Sequence, residues 1–157
     1  MTTFHAAPPV PAHDSADALA TVRSHGLRAS AARRAVLDAL FAARGPVSAD
    51  AIAGSIARSG GSADLASVYR NLETLDELGL VRHFHAGHGP GLYTVAGDER
   101  GYLVCERCGA LATAEPRALA TLRRGIRLAF GWDAGFGHFP IVGLCPRCTP
   151  STGVEES

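Results

Sequence analysis

The chain's four cysteines fall in two Cys-x-x-Cys pairs, Cys105-Glu106-Arg107-Cys108 and Cys145-Pro146-Arg147-Cys148, with 36 residues between them. Two residues between thiols let a tight turn aim both sulfurs at one ion. Two such turns fill a tetrahedral zinc shell and leave no position open for catalysis. The spacing therefore predicts a structural Zn2+ site made by Cys105, Cys108, Cys145 and Cys148. Two disulfides, or four reduced thiols, share the same spacing. A disulfide framework suits a secreted chain, and the start Met1-Thr2-Thr3-Phe4-His5-Ala6-Ala7-Pro8-Pro9 has no basic stretch followed by the apolar run of a signal peptide. A redox enzyme normally carries a single such motif at a helix start beside a cofactor fingerprint. No fingerprint accompanies these pairs, so no catalytic residue and no enzymatic activity are expected.

Seven histidines are present, and His83, His85 and His138 stand out. In a strand, residues two apart share a face, which brings the rings of His83 and His85 close enough to bind one ion. His88 lies in a glycine-rich turn; His5, His13 and His25 are expected in solvent.

The elements that position these groups are legible from caps, periodicity and glycines. Residues 1–15, with Pro8, Pro9 and Pro11, predict a disordered leader, and 150–157 a disordered tail. Ser30 can cap a helix carrying Val36, Leu37, Leu40 and Phe41, ending before Gly45-Pro46. Ser48 can cap a shorter one with Ile52 and Ile56 inward, stopped by Gly60-Gly61. A third helix from about Leu65 carries Val68, Leu72, Leu75 and Leu78 until Gly79 supplies a left-handed stop. Leu80-Val81 then begins a strand, and the turn Gly87–Gly91 leads back into Leu92-Tyr93-Thr94-Val95 as a hairpin. This is the order of a winged helix-turn-helix. Beyond it, Tyr102–Cys105, Ala110–Thr113 and His138–Gly143 predict short strands around the cysteine pairs. Pro116 opens a helix carrying Leu119, Leu122, Ile126 and Leu128 and ending near Gly131. The fold class is α+β, with a winged-helix domain and hinge over 16–96 and a small α/β domain over 97–149 that leans on zinc for stability.

The formal net charge is zero, and all fifteen cationic residues are Arg. Residues 18–95 hold 8 Arg against 6 acids and residues 96–149 hold 7 against 5, the other four acids lying in the tails. Whole-chain charge thus announces no polyanionic partner, although each body segment is mildly basic. No apolar run approaches the roughly 20 residues of a membrane-spanning helix, so a soluble, cytoplasmic protein with no membrane partner is expected.

Five motifs in order, over nearly the whole span from Leu19 to Cys148, carry a resemblance. They are Gly26-Leu27-Arg28-Ala29-Ser30-Ala31-Ala32-Arg33, Ser67-Val68-Tyr69-Arg70-Asn71-Leu72, Glu77-Leu78-Gly79-Leu80-Val81, Cys105-x-x-Cys108-Gly109 and Gly143-x-Cys145-x-x-Cys148. Together they resemble the ferric uptake regulator family of bacterial metal-responsive repressors. The resemblance implies a homodimer whose winged helix is joined by a hinge to a C-terminal dimerisation domain and which reads AT-rich inverted repeats when metal is bound. It implies DNA contacts from Arg28, Arg33, Ser67, Tyr69 and Arg70. Physically, a phenol can pack a thymine methyl or bond a phosphate, a guanidinium can bind phosphate or a guanine edge, and Arg28 can enter a narrow AT-rich minor groove.

The stretch Leu80–Gly89 with His138-Phe139-x-Ile141-x-Gly143-x-Cys145 looks like the nickel-responsive branch, which implies that His83, His85 and His138 share Ni2+ or another divalent transition metal at the hinge. Imidazole suits zinc, cobalt and copper as well. The chain departs from the pattern elsewhere. Asp98, Arg100 and Tyr102 stand where ligand histidines of a second regulatory site would be, Thr113 replaces the usual glutamate, and the loop Ala43-Arg44-Gly45-Pro46 offers no ligand. Arginine stays protonated and repels a cation, so the second site is expected to be lost. A constitutive, zinc-stabilised DNA-binding regulator and a peroxide sensor of the same family are the alternatives.

Overall fold

In the computed structural model, which describes residues 7–136 and 139–150, the element order is α1 (Ser15–Ser24), α2 (Ala31–Ala42), β1 (Val47–Ser48), α3 (Ala49–Arg58), α4 (Leu65–Glu77), β2 (Val81–His85), β3 (Gly91–Val95), β4 (Gly101–Cys105), β5 (Leu111–Ala114), α5 (Pro116–Phe130) and β6 (Ile141–Gly143). The chain divides into two compact units, Met1–Phe84 with Pro90–Asp98, and His85–Gly89 with Glu99–Ser157.

In the first unit each helix starts on a side-chain cap. The side chains of Asp14, Ser30, Ser48 and Asp64 accept the N–H of Asp17, Arg33, Ala51 and Ser67, each worth about 1 kcal/mol. The apolar stripes that these starts aim inward meet in one core: Leu19 and Val22, Val36 and Leu37, Ile52 and Ile56, and Val68, Leu72 and Leu75. Gly79, at φ 74°, ends α4 as expected and reverses the chain into β2. The wing sheet has the order β1-β3-β2. The two-residue β1 pairs antiparallel with β3, Val47 opposite Tyr93, just ahead of the Ser48 cap.

Helix α1 was not among the expected elements, because Leu19 and Val22 are too few to declare a periodicity after a proline-rich start. Residues 7–14, expected to be disordered, instead pack as a strap. The Val10 N–H donates to the Gly79 carbonyl at 2.9 Å, and Val10 and Ala12 lie against the core. Pro8 presents its carbonyl where a Cβ on Gly79 would stand, so glycine is required there twice over, for its backbone and for room. The remaining leader residues 1–6 and the tail residues 151–157 lie outside the described residues.

In the second unit β4 is central, in the order β5-β4-β6. It runs antiparallel to β5 and parallel to β6, with Cys105 opposite Gly143. Parallel neighbours need a long crossover, and α5 supplies it. Pro116 occupies the first turn of α5, and Gly131 closes it in the left-handed conformation. Leu119 is buried over Gly101, where a Cβ would come within 3.0 Å of its methyls. The rest of the apolar stripe on α5 is less covered: Ile126 is half-buried, Leu122 is 45 % exposed and Leu128 82 %. A three-stranded sheet covers only one turn of a 15-residue helix.

Candidate functional site

The parallel pairing of β4 and β6 delivers both cysteine turns to one end of the sheet. Each turn is locally closed. The Gly109 N–H donates to the Cys105 carbonyl at 2.8 Å with Gly109 at φ 71°, and the Cys148 N–H donates to the Cys145 carbonyl at 2.8 Å. Glu106 N–H to Gly143 carbonyl, at 2.9 Å, ties the turns together. So does Arg107, which donates to the Cys148 carbonyl at 2.9 Å. The four sulfurs all lie within 4.8 Å of one another, and Cys108 and Cys145 are 3.7 Å apart. That is far beyond a disulfide at about 2.05 Å and close to the edge of about 3.8 Å in a ZnS4 tetrahedron with bonds of about 2.3 Å.

The thiols do not ionise alike. Backbone N–H groups of Cys145 and Cys108 bring Cys105 down to about 6. At Cys145 burial works upward, but hydrogen bonds from the Cys108 side chain and from the Cys148 and Arg147 backbone outweigh it, and the thiol falls. At Cys148, hydrogen bonding with the Cys108 sulfur, then burial, pushes the thiol up to about 12. Sulfur N–H donors such as Cys145 N–H to Cys105 Sγ, at 3.4 Å, already favour anionic sulfur, and a divalent cation at the centre lets all four cysteines ionise. The donor set and the geometry both fit zinc.

Helix α4 splits the second motif by periodicity. Val68 and Leu72 are buried, whereas Tyr69 and Arg70 are exposed and Ser67 half so. Arg28 is exposed just ahead of α2. Arg33 behaves differently from the other cationic residues of this face. Its Nε donates to Asn71 Oδ1 at 3.2 Å and its Nη1 to the Arg28 carbonyl at 2.6 Å.

His83 and His85 sit on β2 as expected, half-buried and exposed respectively. His83 Nδ1 is 3.2 Å from Asp76 Oδ2, and its ring stacks on Tyr93 with centroids 5.7 Å apart. His138 lies outside the described residues, so the structure brings together two members of the expected trio on one strand. Among the described residues, the grouping of three or more ligating side chains is the four cysteines.

Residues 24–127 match the model of the ferric uptake regulator family. The chain belongs to the ferric uptake regulator family. Members of this family are transcription regulators, not enzymes. The peroxide-responsive repressor of Staphylococcus aureus is 22% identical over 136 residues, covering 87% of this chain and 92% of that protein. The ferric uptake regulator of Helicobacter pylori superposes with a TM-score of 0.67 at 19% identity, over 89% of this chain and 97% of that one. The ferric uptake regulator of Pseudomonas aeruginosa, solved with manganese, gives 0.65 at 20% identity, over 82% and 97%. These likenesses establish the fold.

Within this family frame, the three departures occupy different environments. Tyr102 is buried, at 3 % exposure. Asp98 accepts from Thr94 Oγ1 at 3.4 Å through its carboxylate and from Arg82 Nη2 at 2.6 Å through its carbonyl. Arg100 is half-buried. Two partners of the expected residues escaped the sequence reading, Asn71 and Asp76. Asn71 had a signal: a lone amide inside the apolar stripe of Val68, Leu72 and Leu75. Asp76 had none, since only the packing of α4 on β2 shows which side chain it meets.

Proposed function

We propose that this member of the ferric uptake regulator family is a metal-responsive repressor that binds double-stranded DNA as a homodimer. The observation that carries the reading is the first turn and a half of α4. Over a core of Val68 and Leu72 it turns Tyr69 and Arg70 to solvent, beside Ser67 and next to the exposed Arg28. A helix so presented suits the major groove, with Arg70 on phosphate or guanine and Tyr69 on a thymine methyl, while Arg28 suits an AT-rich minor groove. Inverted repeats about 34 Å apart match a two-fold dimer.

Zinc held by Cys105, Cys108, Cys145 and Cys148 supplies the fastening of the second unit. A second copy of the chain is the partner for the apolar side chains left outside, Leu122, Leu128, Phe130, Trp132 and Val142. His83, His85 and His138 hold the regulatory ion, nickel or another divalent transition metal, and favour one hinge arrangement. Coupling is reciprocal, so DNA tightens metal binding. The test is selection of a duplex from a randomised pool, followed by binding titrations with nickel, cobalt, zinc and iron. Metal dependence that survives His83→Ala and His138→Ala refutes this role for the histidines.

A second reading, constitutive DNA binding with sensing lost, is favoured by Arg100, a permanently protonated side chain standing where the second metal site would need a ligand. It predicts affinity unchanged by a chelator that leaves zinc bound. Peroxide sensing, the role in the name of the Staphylococcus aureus relative, predicts loss of DNA binding after peroxide treatment of the iron-loaded chain.

A further inference from the structure

Arg33 is the one cationic residue of the DNA-facing motifs whose guanidinium is engaged inside the fold, among the described residues. From the first turn of α2 its Nε reaches Asn71 Oδ1 at 3.2 Å, and its Nη1 reaches the carbonyl of Arg28 at 2.6 Å. Asn71 is 8 % exposed, and its Nδ2 donates to the Ser67 carbonyl at 2.9 Å. The chain of contacts thus runs from the backbone of Arg28, through the Arg33 fork, across the buried amide, to the backbone of Ser67 at the start of α4. Ser67 is tied from its other side, its N–H donating to the Asp64 cap at 2.9 Å.

We propose that Arg33 is a positioning residue for DNA recognition, holding Arg28 and the first turn of α4 at a fixed separation, rather than a phosphate contact. This rests on the DNA-binding reading above. A guanidinium grips phosphate best through a two-pronged edge, and the Nε that one such edge requires is committed to Asn71. Leaving a buried Asn71 oxygen without its donor costs about 1–3 kcal/mol, so the link is held firmly. What it fixes is spacing. Arg28 and Tyr69–Arg70 address different grooves, and a small displacement of one relative to the other spoils simultaneous contact. Lysine cannot substitute, because its single ammonium on a flexible stem cannot span two acceptors with the geometry of a planar fork.

The test uses the full chain and two labelled duplexes, one selected by the wild-type protein from a randomised pool and one of scrambled sequence, titrated over a series of salt concentrations. Thermal melting without DNA is followed in parallel. Arg33→Ala and Arg33→Lys are both expected to weaken binding to the selected duplex by about tenfold or more and to reduce preference over the scrambled one, with the salt slope unchanged. Asn71→Ala should reproduce this, and the double variant Arg33→Ala/Asn71→Ala should be no weaker than either single one. Arg33→Lys binding like wild type, or Arg33→Ala lowering the salt slope by about one with both duplexes weakened equally, identifies a phosphate contact and overturns the proposal. A lowered melting temperature with preference intact in the folded protein identifies a merely structural bond and overturns it as well. A wild-type chain that selects no duplex when loaded with divalent metal sinks the DNA-binding reading and this inference together, whereas the other outcomes, read with the same metal present, bear on this inference alone.

Discussion

Asp76 on α4 holds its carboxylate 3.2 Å from Nδ1 of His83 on β2, so the helix that carries Tyr69 and Arg70 is bonded to a histidine of the wing. Tyr93 stacks on a face of that ring at an interplanar angle of 27°. A carboxylate acceptor selects the tautomer with hydrogen on Nδ1 and makes Nε2 the nitrogen with a lone pair to give a metal. On the proposal that His83 ligates a regulatory ion, Asp76→Ala is expected to weaken that binding about 10- to 100-fold, measured by competition against a chromophoric chelator. Equal affinities in the two proteins would remove Asp76 from the site.

The cysteine cluster predicts a stoichiometry. Elemental analysis should find one zinc per chain tightly held, and Cys148→Ser should lose it together with the cooperative melting of the second unit. Binding by zinc-finger peptides is worth about 10–16 kcal/mol, more than a three-stranded sheet with one buried helix residue can replace. Full zinc retention in Cys148→Ser would contradict a four-sulfur shell.

Exposed apolar residues at and just beyond the end of α5 separate association from folding. Leu128 is 82 % exposed and Trp132 75 %, so Leu128→Asp/Trp132→Ser should change the stability of the isolated subunit by no more than about 0.5 kcal/mol per site. The same variant should shift sedimentation from dimer to monomer. A variant that stays dimeric would move the interface elsewhere.

Tyr93 gives the first unit an alkaline limit. Burial, then the negative groups Tyr69, Asp76 and Glu73, raise its phenol above the ordinary value of 10.0. A raised folded value means that the contribution of the neutral phenol is complete below pH of about 10 and is lost as pH climbs through the folded value. Denaturant midpoints measured from pH 8 to 11 should fall for the wild type above about pH 10, and fall less for Tyr93→Phe. Parallel curves would show that Tyr93 titrates as it does in the unfolded chain.

Local chemistry was legible in the order of residues. Ser30 and Ser48 cap helices because a hydroxyl just before an apolar stripe has an orphan N–H within reach, and Gly79 and Gly131 end helices because only glycine takes φ near 70° without strain. The two Cys-x-x-Cys pairs pointed to a shared four-sulfur cluster, and five motifs in order announced the family. The strap over 7–14 was not legible, since Val10 bonds to Gly79, sixty-nine positions away, and nothing periodic marks it.

Tertiary structure decided which long-range partners meet. Periodicity tells which face of a helix is apolar, but not which neighbour a polar group on that face will find. Arg33 was implied as a DNA contact alongside Arg28 and Arg70, and only the packing of α2 on α4 shows it set against Asn71. Asp98–Tyr102 read as a vacated ligand cluster, and only the tertiary structure shows that Tyr102 within it is buried. The pairing of β4 with β6 is parallel because β5 returns the chain antiparallel to β4 before α5 takes it across to the far edge, and that topology, not the spacing of the cysteines, aligns Cys105 with Gly143 and closes the four sulfurs around a single point.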